Sequence, residues 1–249
     1  MTQASTTAAA LPTQAEIVVV GGGIAGCSVA YHLAALGRRD VVVLEQNTLG
    51  AGTTWHAAGA VGRMRVSAGL ARLNDRSAAM YAGMARESGL PTGWVENGSL
   101  TIAREADRMV QLRRAGAMAS HFGVEVHEIG PEEIAEKWPL ADLRDILGGV
   151  WLPHDGVVRP LALTLAIAEA ARRRGVAVHE HVRVEEVLVA SGRATGVRTA
   201  EGTIEAETVV LCAGMWTPQL AEICGVTIPV QPVEHHYVLS NEIGSHVDE

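Results

Sequence analysis

The sequence EIVVVGGGIAG, residues 16–26, decides the fold. Its apolar run is typical of a short buried strand, and three consecutive glycines follow the run at once. Gly21, Gly23 and Gly26 fit the pattern G-x-G-x-x-G. In this pattern the first glycine permits a tight turn, the second lets the backbone approach a diphosphate, and the third lets a helix pack against the strand. The stretch therefore predicts a strand, a turn and a helix that together bind a dinucleotide.

The residues that follow complete a βαβ unit. Residues 24–36 are mostly small and apolar, which predicts a helix, and Gly37 is a typical stop signal. Residues 41–44, VVVL, predict a second buried strand, which leads into Glu45. A carboxylate at this position accepts hydrogen bonds from ribose hydroxyls and repels a 2′-phosphate. The unit therefore predicts FAD or NAD as the ligand and disfavours NADP.

The loop after Glu45 favours FAD over NAD. An NAD-binding domain would usually continue with alternating parallel strands and helices. Residues 46–62 are instead rich in Gly, Thr and Ala, which predicts a loop that lines a ligand site. The small side chains of this loop would let a large flat ring system lie close to the backbone.

Composition excludes several classes of protein. The chain has 249 residues and a formal net charge of −8, so a basic face for nucleic acid is not expected. No apolar run approaches the roughly 18 residues that a membrane span needs. Cys27, Cys212 and Cys224 form no C-x-x-C pair, and two of them lie in apolar segments, as expected for buried thiols in a reducing compartment. We therefore expect a cytoplasmic protein with no nucleic-acid partner and no membrane partner.

Five stretches of the sequence match one family of enzymes. They are the glycine turn through Glu45, AGTTWHAAG at residues 51–59, PHDG at 153–156, VVLCAGMW at 209–216 and EHHYV at 234–238. With these motifs the chain resembles the flavin amine dehydrogenases and oxidases of the dimethylglycine and sarcosine type, within the D-amino-acid-oxidase-like superfamily. The TTWHAAG run is specific to this family, whereas CAGMW is shared across the superfamily.

The resemblance implies a fold and a reaction. The fold is α/β, a Rossmann-like FAD-binding domain with an inserted, incomplete antiparallel substrate domain. The reaction is oxidation of the C–N bond of a small N-methylated amine, such as dimethylglycine or sarcosine, by hydride transfer to flavin. An electron-acceptor protein or oxygen would then reoxidise the flavin. The alternatives are a non-covalent FAD enzyme like the amino-acid oxidases, and a flavin-binding fragment without turnover.

The predicted organisation has five segments. They are a flexible leader (1–15), the first part of the FAD-binding domain (16–90), the substrate-domain insertion (91–152), the second part of the FAD-binding domain (153–225) and the start of a substrate-domain strand (226–249). The second part is predicted to hold a helix at 160–174 and a β-meander with strands at 176–179, 182–189, 195–199 and 208–211. Members of the family continue well past this chain's last residue, so we expect a fragment or a truncated chain.

Motif positions and the resemblance together predict the cofactor-binding residues. The set is Gly21, Gly23, Ile24, Ala25, Gly26, Glu45, Gln46, Gly52, Thr53, Thr54, His56, Ala57, Val184, Ala213, Gly214 and Trp216. In the family, the histidine that matches His56 is bonded covalently to the flavin. Covalent FAD is therefore expected here, with an ordinary loop histidine as the alternative. The residue that matches Val184 meets adenine with its backbone, although a valine in a strand is most often part of the core.

His235 is the predicted catalytic residue. In the family its counterpart lies near the substrate, where it would orient the amine or accept a proton. A structural histidine is the alternative. On an extended segment His235 and Tyr237 share one face. We interpret His179 and His181 as exposed positions on one strand face, since no third ligand lies nearby to complete a metal site.

Overall fold

The structure of the chain, a computed structural model, describes residues 10–65 and 67–236. Its strands are β1 (Gln14–Val20), β2 (Val41–Leu44), β3 (Ala60–Val61), β4 (Ser99–Ala103), β5 (His127–Ile129), β6 (Gly148–Leu152), β7 (Gly156–Val157), β8 (Ala177–His179), β9 (Val184–Ala190), β10 (Arg193–Thr199) and β11 (Gly202–Leu211). Its α-helices are α1 (Ile24–Ala35), α2 (Ala68–Ser88), α3 (Ala106–His121), α4 (Pro131–Lys137), α5 (Pro160–Arg172) and α6 (Thr217–Ile223). Two short 3-10 helices lie at Thr53–His56 and Gly214–Trp216. None of the helices in the described ranges is long and apolar enough to cross a membrane.

A six-stranded sheet with the order β8-β2-β1-β11-β10-β9 forms the centre of the fold. The first four strands in this order are parallel, and β10 and β9 add antiparallel pairs at one side. β1 pairs with β2 on one edge and β11 on the other, and its residues Val18 and Val19 are fully buried in apolar clusters on opposite faces of the sheet. This explains why the strand reads as a continuous apolar run, which is typical of parallel sheets covered on both faces.

Helices α1, α2 and α5 cover one face of the sheet. Leu163 and Ile167 of α5 belong to the same buried apolar cluster as Ile17 and Val19 of β1. A polar contact joins the first two helices at the edge of this layer, because the Tyr31 hydroxyl donates a hydrogen bond to the Glu87 carboxylate at 2.9 Å. The layered arrangement places the amino end of α1 at the carboxyl edge of β1.

A second, antiparallel sheet lies within the predicted insertion. It has three strands in the order β4-β6-β5 and packs against α3 and α4. Its central strand, β6, was not predicted from the sequence, because two glycines open the segment and glycine is unfavourable in strands. Gly149 is required there, since a Cβ at this residue would lie 2.6 Å from the carbonyl oxygen of Thr101.

Several predicted boundaries differ from the structure. Strand β1 begins at Gln14, inside the predicted leader, because Ala15 is buried in the core; residues 1–9 lie outside the described residues. Strand β11 begins six residues before the predicted strand at 208–211. Its first half alternates buried and exposed residues, so its apolar content is low. Residues 226–236 form no strand, and the rest of that predicted strand lies outside the described residues.

Asp155, of the PHDG motif, ties the segment after β3 to the start of β4. Its side chain is only 3% exposed. One carboxylate oxygen accepts a hydrogen bond from the backbone N–H of Arg63 at 2.9 Å, and the other accepts from the Ser99 hydroxyl at 2.5 Å. Sequence reasoning placed a turn at this motif and missed the structural role of its carboxylate.

Gly26 is the position in α1 where the helix approaches the glycine turn most closely. A methyl group there would lie 1.9 Å from the carbonyl oxygen of Gly21, a backbone atom that a rotamer change cannot move. We expect Gly26→Ala to lower the free energy of unfolding by about 2–3 kcal/mol, as measured by urea denaturation.

The matched control is Gly83→Ala in α2, where a methyl group would meet nothing within 4 Å. This change should raise the free energy of unfolding by up to about 1 kcal/mol, because alanine is the better helix former. Equal effects of the two substitutions would contradict the steric argument.

Candidate functional site

A cavity of about 460 Å³ opens at the carboxyl ends of the central parallel strands. Val20, Leu44 and Cys212, at or just after the ends of β1, β2 and β11, contribute to its wall. Ligands of open α/β sheets bind in this position. The cavity is lined by all of the predicted cofactor-binding residues except Gly26 and His56.

The amino end of α1 presents open hydrogen-bond donors at the cavity wall. The first backbone hydrogen bond of the helix runs from the N–H of Cys27 to the carbonyl of Gly23 at 3.0 Å. The N–H of Ile24 donates to the Thr54 hydroxyl at 3.0 Å. Within the described ranges, the N–H groups of Gly23, Ala25 and Gly26 have no protein acceptor. Gly23 and Ala25 line the cavity, and open donors at the positive end of a helix dipole favour an anionic group such as a diphosphate.

The first glycine of the motif brings the turn against the neighbouring strand. Gly21 has a φ of +109°, which other residues rarely adopt, and a Cβ there would lie 2.3 Å from the carbonyl oxygen of Cys212. The turn is held in place because the N–H of Cys212 donates to the carbonyl of Val20 at 2.7 Å. Bare backbone at this point keeps the base of the cavity open.

Glu45 is a buried carboxylate at the opposite side of the turn, 8% exposed. It accepts hydrogen bonds from the backbone N–H of Gly22 at 2.7 Å and from that of Asn47 at 2.8 Å. A carboxylate can accept about four hydrogen bonds, so capacity remains for the hydroxyls of a ribose. The negative charge is stabilised by these backbone donors and does not need a buried cation.

Gly22 occupies the position that the G-x-G pattern leaves free, and sequence reasoning missed its role. A Cβ at Gly22 would lie 2.6 Å from the Leu49 side chain and 2.8 Å from the Cβ of Glu45. The middle glycine of the three is therefore required by the close approach of Glu45. The GGG run itself was the signal that could have shown it.

The start of β9 forms another wall of the cavity. Val182 and Val184 are buried in the core and also contribute to the wall. Arg183 and Glu185 alternate with them, are exposed and line the rim. Val184 was predicted from the sequence, whereas the two charged residues were not. Their alternation with the valines was the signal that could have identified them as part of the cavity wall.

The loop with the TTWHAAG motif lies beside the cavity. Thr54 and Ala57 line the cavity, whereas His56 is exposed and is not part of the lining. The rings of Trp55 and His56 pack against each other with centroids 4.0 Å apart and planes 35° apart. Trp216 lies next to this loop: a Cβ at Gly52 would lie 3.6 Å from its ring.

The remaining predicted histidines do not line this cavity. His235 is exposed in a segment without regular secondary structure and does not line the cavity, and Tyr237 lies outside the described residues. His179 ends β8, and burial lowers its pKa. His181 follows the strand with a φ of +64°, so the prediction that it shares a strand face with His179 is wrong. The part of the chain that the structure describes contains no group of three His, Cys, Asp or Glu side chains placed to hold a metal ion.

Comparison with known proteins identifies the family. A model of the family described as FAD-dependent oxidoreductases (DAO) matches residues 16–248. The chain therefore belongs to this family of FAD-dependent oxidoreductases, and the donors at α1 together with Glu45 fit the diphosphate and ribose of FAD.

Three relatives illustrate the range of proteins that share this sequence. The chain is 39% identical over 239 residues to 4-methylaminobutanoate oxidase (formaldehyde-forming) of Paenarthrobacter nicotinovorans, covering 96% of the chain and 29% of that protein. It is 36% identical over 239 residues to mitochondrial sarcosine dehydrogenase of Homo sapiens (94% and 26%). It is 37% identical over 233 residues to the mitochondrial pyruvate dehydrogenase phosphatase regulatory subunit of Mus musculus (93% and 26%). The chain thus spans less than a third of the length of each relative.

Solved structures confirm the fold class. The chain matches L-proline dehydrogenase from P. horikoshii with a TM-score of 0.82 and 29% identity, over 87% of this chain and 57% of that one. It matches glycine oxidase from Geobacillus kaustophilus with a TM-score of 0.77 and 27% identity, over 87% and 60%. The predicted α/β class with a Rossmann-like FAD-binding fold is confirmed.

The three cysteines allow a chemical footprint of the cavity. Cys212 lines the cavity, Cys224 is half-buried outside its lining, and Cys27 is fully buried with its pKa raised by burial to about 12. We expect FAD at ten times its Kd to slow alkylation of Cys212 about tenfold, because the occupied cavity excludes the reagent. Mass spectrometry of peptides after timed reaction with N-ethylmaleimide measures this rate.

Cys224 serves as the internal control, since its rate should not change with FAD. Cys27 should stay unmodified in the folded protein with or without FAD. A common slowing of Cys212 and Cys224 would mean that FAD stabilises the whole fold without occupying this cavity.

Proposed function

We propose that this chain forms the FAD-binding part of an oxidoreductase that oxidises the C–N bond of a small N-methylated amine, such as dimethylglycine or sarcosine. The observation that carries the proposal is the cavity in which the open donors of α1 face the same space as Glu45. The substrate class is supported by two relatives, whose names specify sarcosine and 4-methylaminobutanoate, both N-methylated amines. The amine and the electron acceptor, a protein or oxygen, are parts of this proposal.

Different residues of the chain would bind different groups of FAD. The N–H groups of Gly23 and Ala25 would hold the diphosphate, and Glu45 would accept from the ribose hydroxyls. Bound FAD supplies the acceptor for a hydride that leaves the carbon next to the amine nitrogen. Gly52 and Trp216 would exclude water from the ring end of the site.

His56 and His235 are the two histidines with proposed roles near the flavin ring and the substrate. We propose that His56 carries the flavin covalently, supported by its place between the cavity-lining residues Thr54 and Ala57. Non-covalent FAD is the alternative. For His235 we keep the role of orienting the amine or accepting its proton, which rests on the EHHYV motif, because in the structure this side chain lies outside the cavity.

Covalent attachment has a direct test. We expect acid precipitation of the FAD-loaded chain to leave a yellow pellet, because a covalent bond survives unfolding whereas the contacts of the cavity do not. Absorbance of the pellet and of the supernatant near the flavin maximum measures the split.

The control is His56→Ala, which keeps every residue that lines the cavity. Its flavin should appear in the supernatant. If the unsubstituted chain also releases all of its flavin, His56 is not an attachment site and the non-covalent alternative holds.

A second function is favoured by one relative. The pyruvate dehydrogenase phosphatase regulatory subunit is named for regulation and is as similar to this chain as the two enzymes are. The same sequence pattern therefore accompanies proteins with catalytic and with regulatory names. The second candidate is a flavin-binding chain without turnover. The cytoplasmic location expected from composition also stays a prediction, since two of these relatives are named as mitochondrial.

Anaerobic titration separates the two functions. We expect sarcosine or dimethylglycine to bleach the flavin absorbance of the loaded protein, because the nitrogen lone pair stabilises the cation left when hydride departs. Trimethylglycine is the matched control: its quaternary nitrogen has no lone pair, so it should not bleach the flavin. Bound flavin that dithionite reduces but neither amine reduces would support the second function.

A further inference from the structure

We infer that Thr54 is a positioning residue: its hydroxyl docks the His56 loop, residues 51–57, onto the amino end of α1 and so links diphosphate binding to placement of the flavin ring. The Thr54 Oγ1 accepts a hydrogen bond from the N–H of Ile24, the first residue of the helix, at 3.0 Å. The two residues are 30 apart in sequence, so this contact joins separate parts of the site. The inference rests on the proposed binding of FAD in this cavity.

Three hydrogen bonds connect the chain after β2 to the glycine turn. Glu45 accepts from the N–H of Gly22 at 2.7 Å, and the N–H of Gly50 donates to the carbonyl of Gly22 at 2.9 Å. These two bonds hold the chain before the His56 loop. The bond of Thr54 is the third, and it lies within the 3-10 helix that ends at His56. Loss of this bond would therefore loosen the attachment of the loop to α1 while the chain before the loop stays fixed.

The second glycine of the motif is shaped around this contact. A Cβ at Gly23 would lie 3.1 Å from Thr54 Oγ1, which is closer than most Cβ contacts. Gly23 therefore leaves room for the threonine hydroxyl, a role additional to the approach of a diphosphate. This short distance shows that the Thr54 hydroxyl packs directly against the glycine turn.

The hydroxyl of Thr54 keeps its own proton for a further hydrogen bond. A threonine hydroxyl is one donor and two acceptors, and the N–H of Ile24 uses only an acceptor position. Because Thr54 also lines the cavity, its proton can be donated to an oxygen of the bound cofactor. A bond donated in this way strengthens the bond that the same oxygen accepts. Cofactor binding would then tighten the attachment of the loop to α1.

Three substitutions isolate the hydroxyl. Thr54→Val keeps the shape of the side chain and removes the hydrogen bond, whereas Thr54→Ser keeps the bond. Thr53→Val is the matched control, because Thr53 lies in the same 3-10 helix, lines the cavity and makes no side-chain hydrogen bond to α1 among the described residues. Thermal unfolding establishes that each variant is folded before the comparison is made.

The first measurement uses the cofactor-free protein. We expect Thr54→Val to speed amide hydrogen exchange at residues 52–57 by several-fold to about tenfold, the effect of losing one partly buried hydrogen bond. Thr54→Ser and Thr53→Val should exchange like the unsubstituted chain. Unchanged exchange in Thr54→Val would overturn the inference, whether or not the chain binds FAD.

The second measurement compares FAD with ADP. Thr54→Val should weaken FAD binding about fivefold to tenfold more than ADP binding, because only FAD has a ring system that the loop must receive. Equal weakening of the two ligands would show that the hydroxyl serves only as a contact to the diphosphate and would overturn the docking role. Failure of the unsubstituted chain to bind FAD would instead refute the proposed function.

Discussion

Close approach of the turn after β1 to its neighbours is the constraint on which the rest of the structure depends. Gly21 lies against the backbone of Cys212, Gly22 lies against Glu45, and Gly26 lies against Gly21 itself. None of these positions has room for a side chain. Because the turn is bare backbone, α1 can begin at the sheet edge with its donors exposed to the cavity, and an anion can reach them.

The cavity wall carries the positive end of a helix dipole and a negatively charged carboxylate close together, with backbone groups between them. The amino end of α1 favours negative charge, yet Glu45 brings a carboxylate to the same cavity. Hydrogen bonds from Gly22 and Asn47 stabilise that carboxylate and direct its remaining acceptor capacity toward neutral hydroxyls. A dinucleotide satisfies both demands because its phosphates and its sugars are separate groups. A simple anion would satisfy only the first.

Local sequence patterns predicted the parts of the molecule that depend on interactions between residues close in sequence. The βαβ unit and the acid at the end of β2 follow from apolar runs and glycines, and both are present. Strand β6 and the first half of β11 were missed because their pairing is long-range while their composition is unfavourable or alternating. The roles of Gly22 and Asp155 depend on groups distant in sequence, which spacing alone does not reveal. The predicted site residues meet at one cavity apart from Gly26, His56 and His235.

Asp155 makes the segment after β3 and the start of β4 interdependent. Its carboxylate is satisfied only when the segment around Arg63 and the start of β4 have both reached their final places. If either segment were to leave, a buried charge would lose a partner without gaining water, and such a state is costly. Separation of these two segments is therefore disfavoured relative to complete unfolding. The carboxylate thus acts as a source of cooperativity, which makes the segment after β3 and the start of β4 gain or lose their structure together.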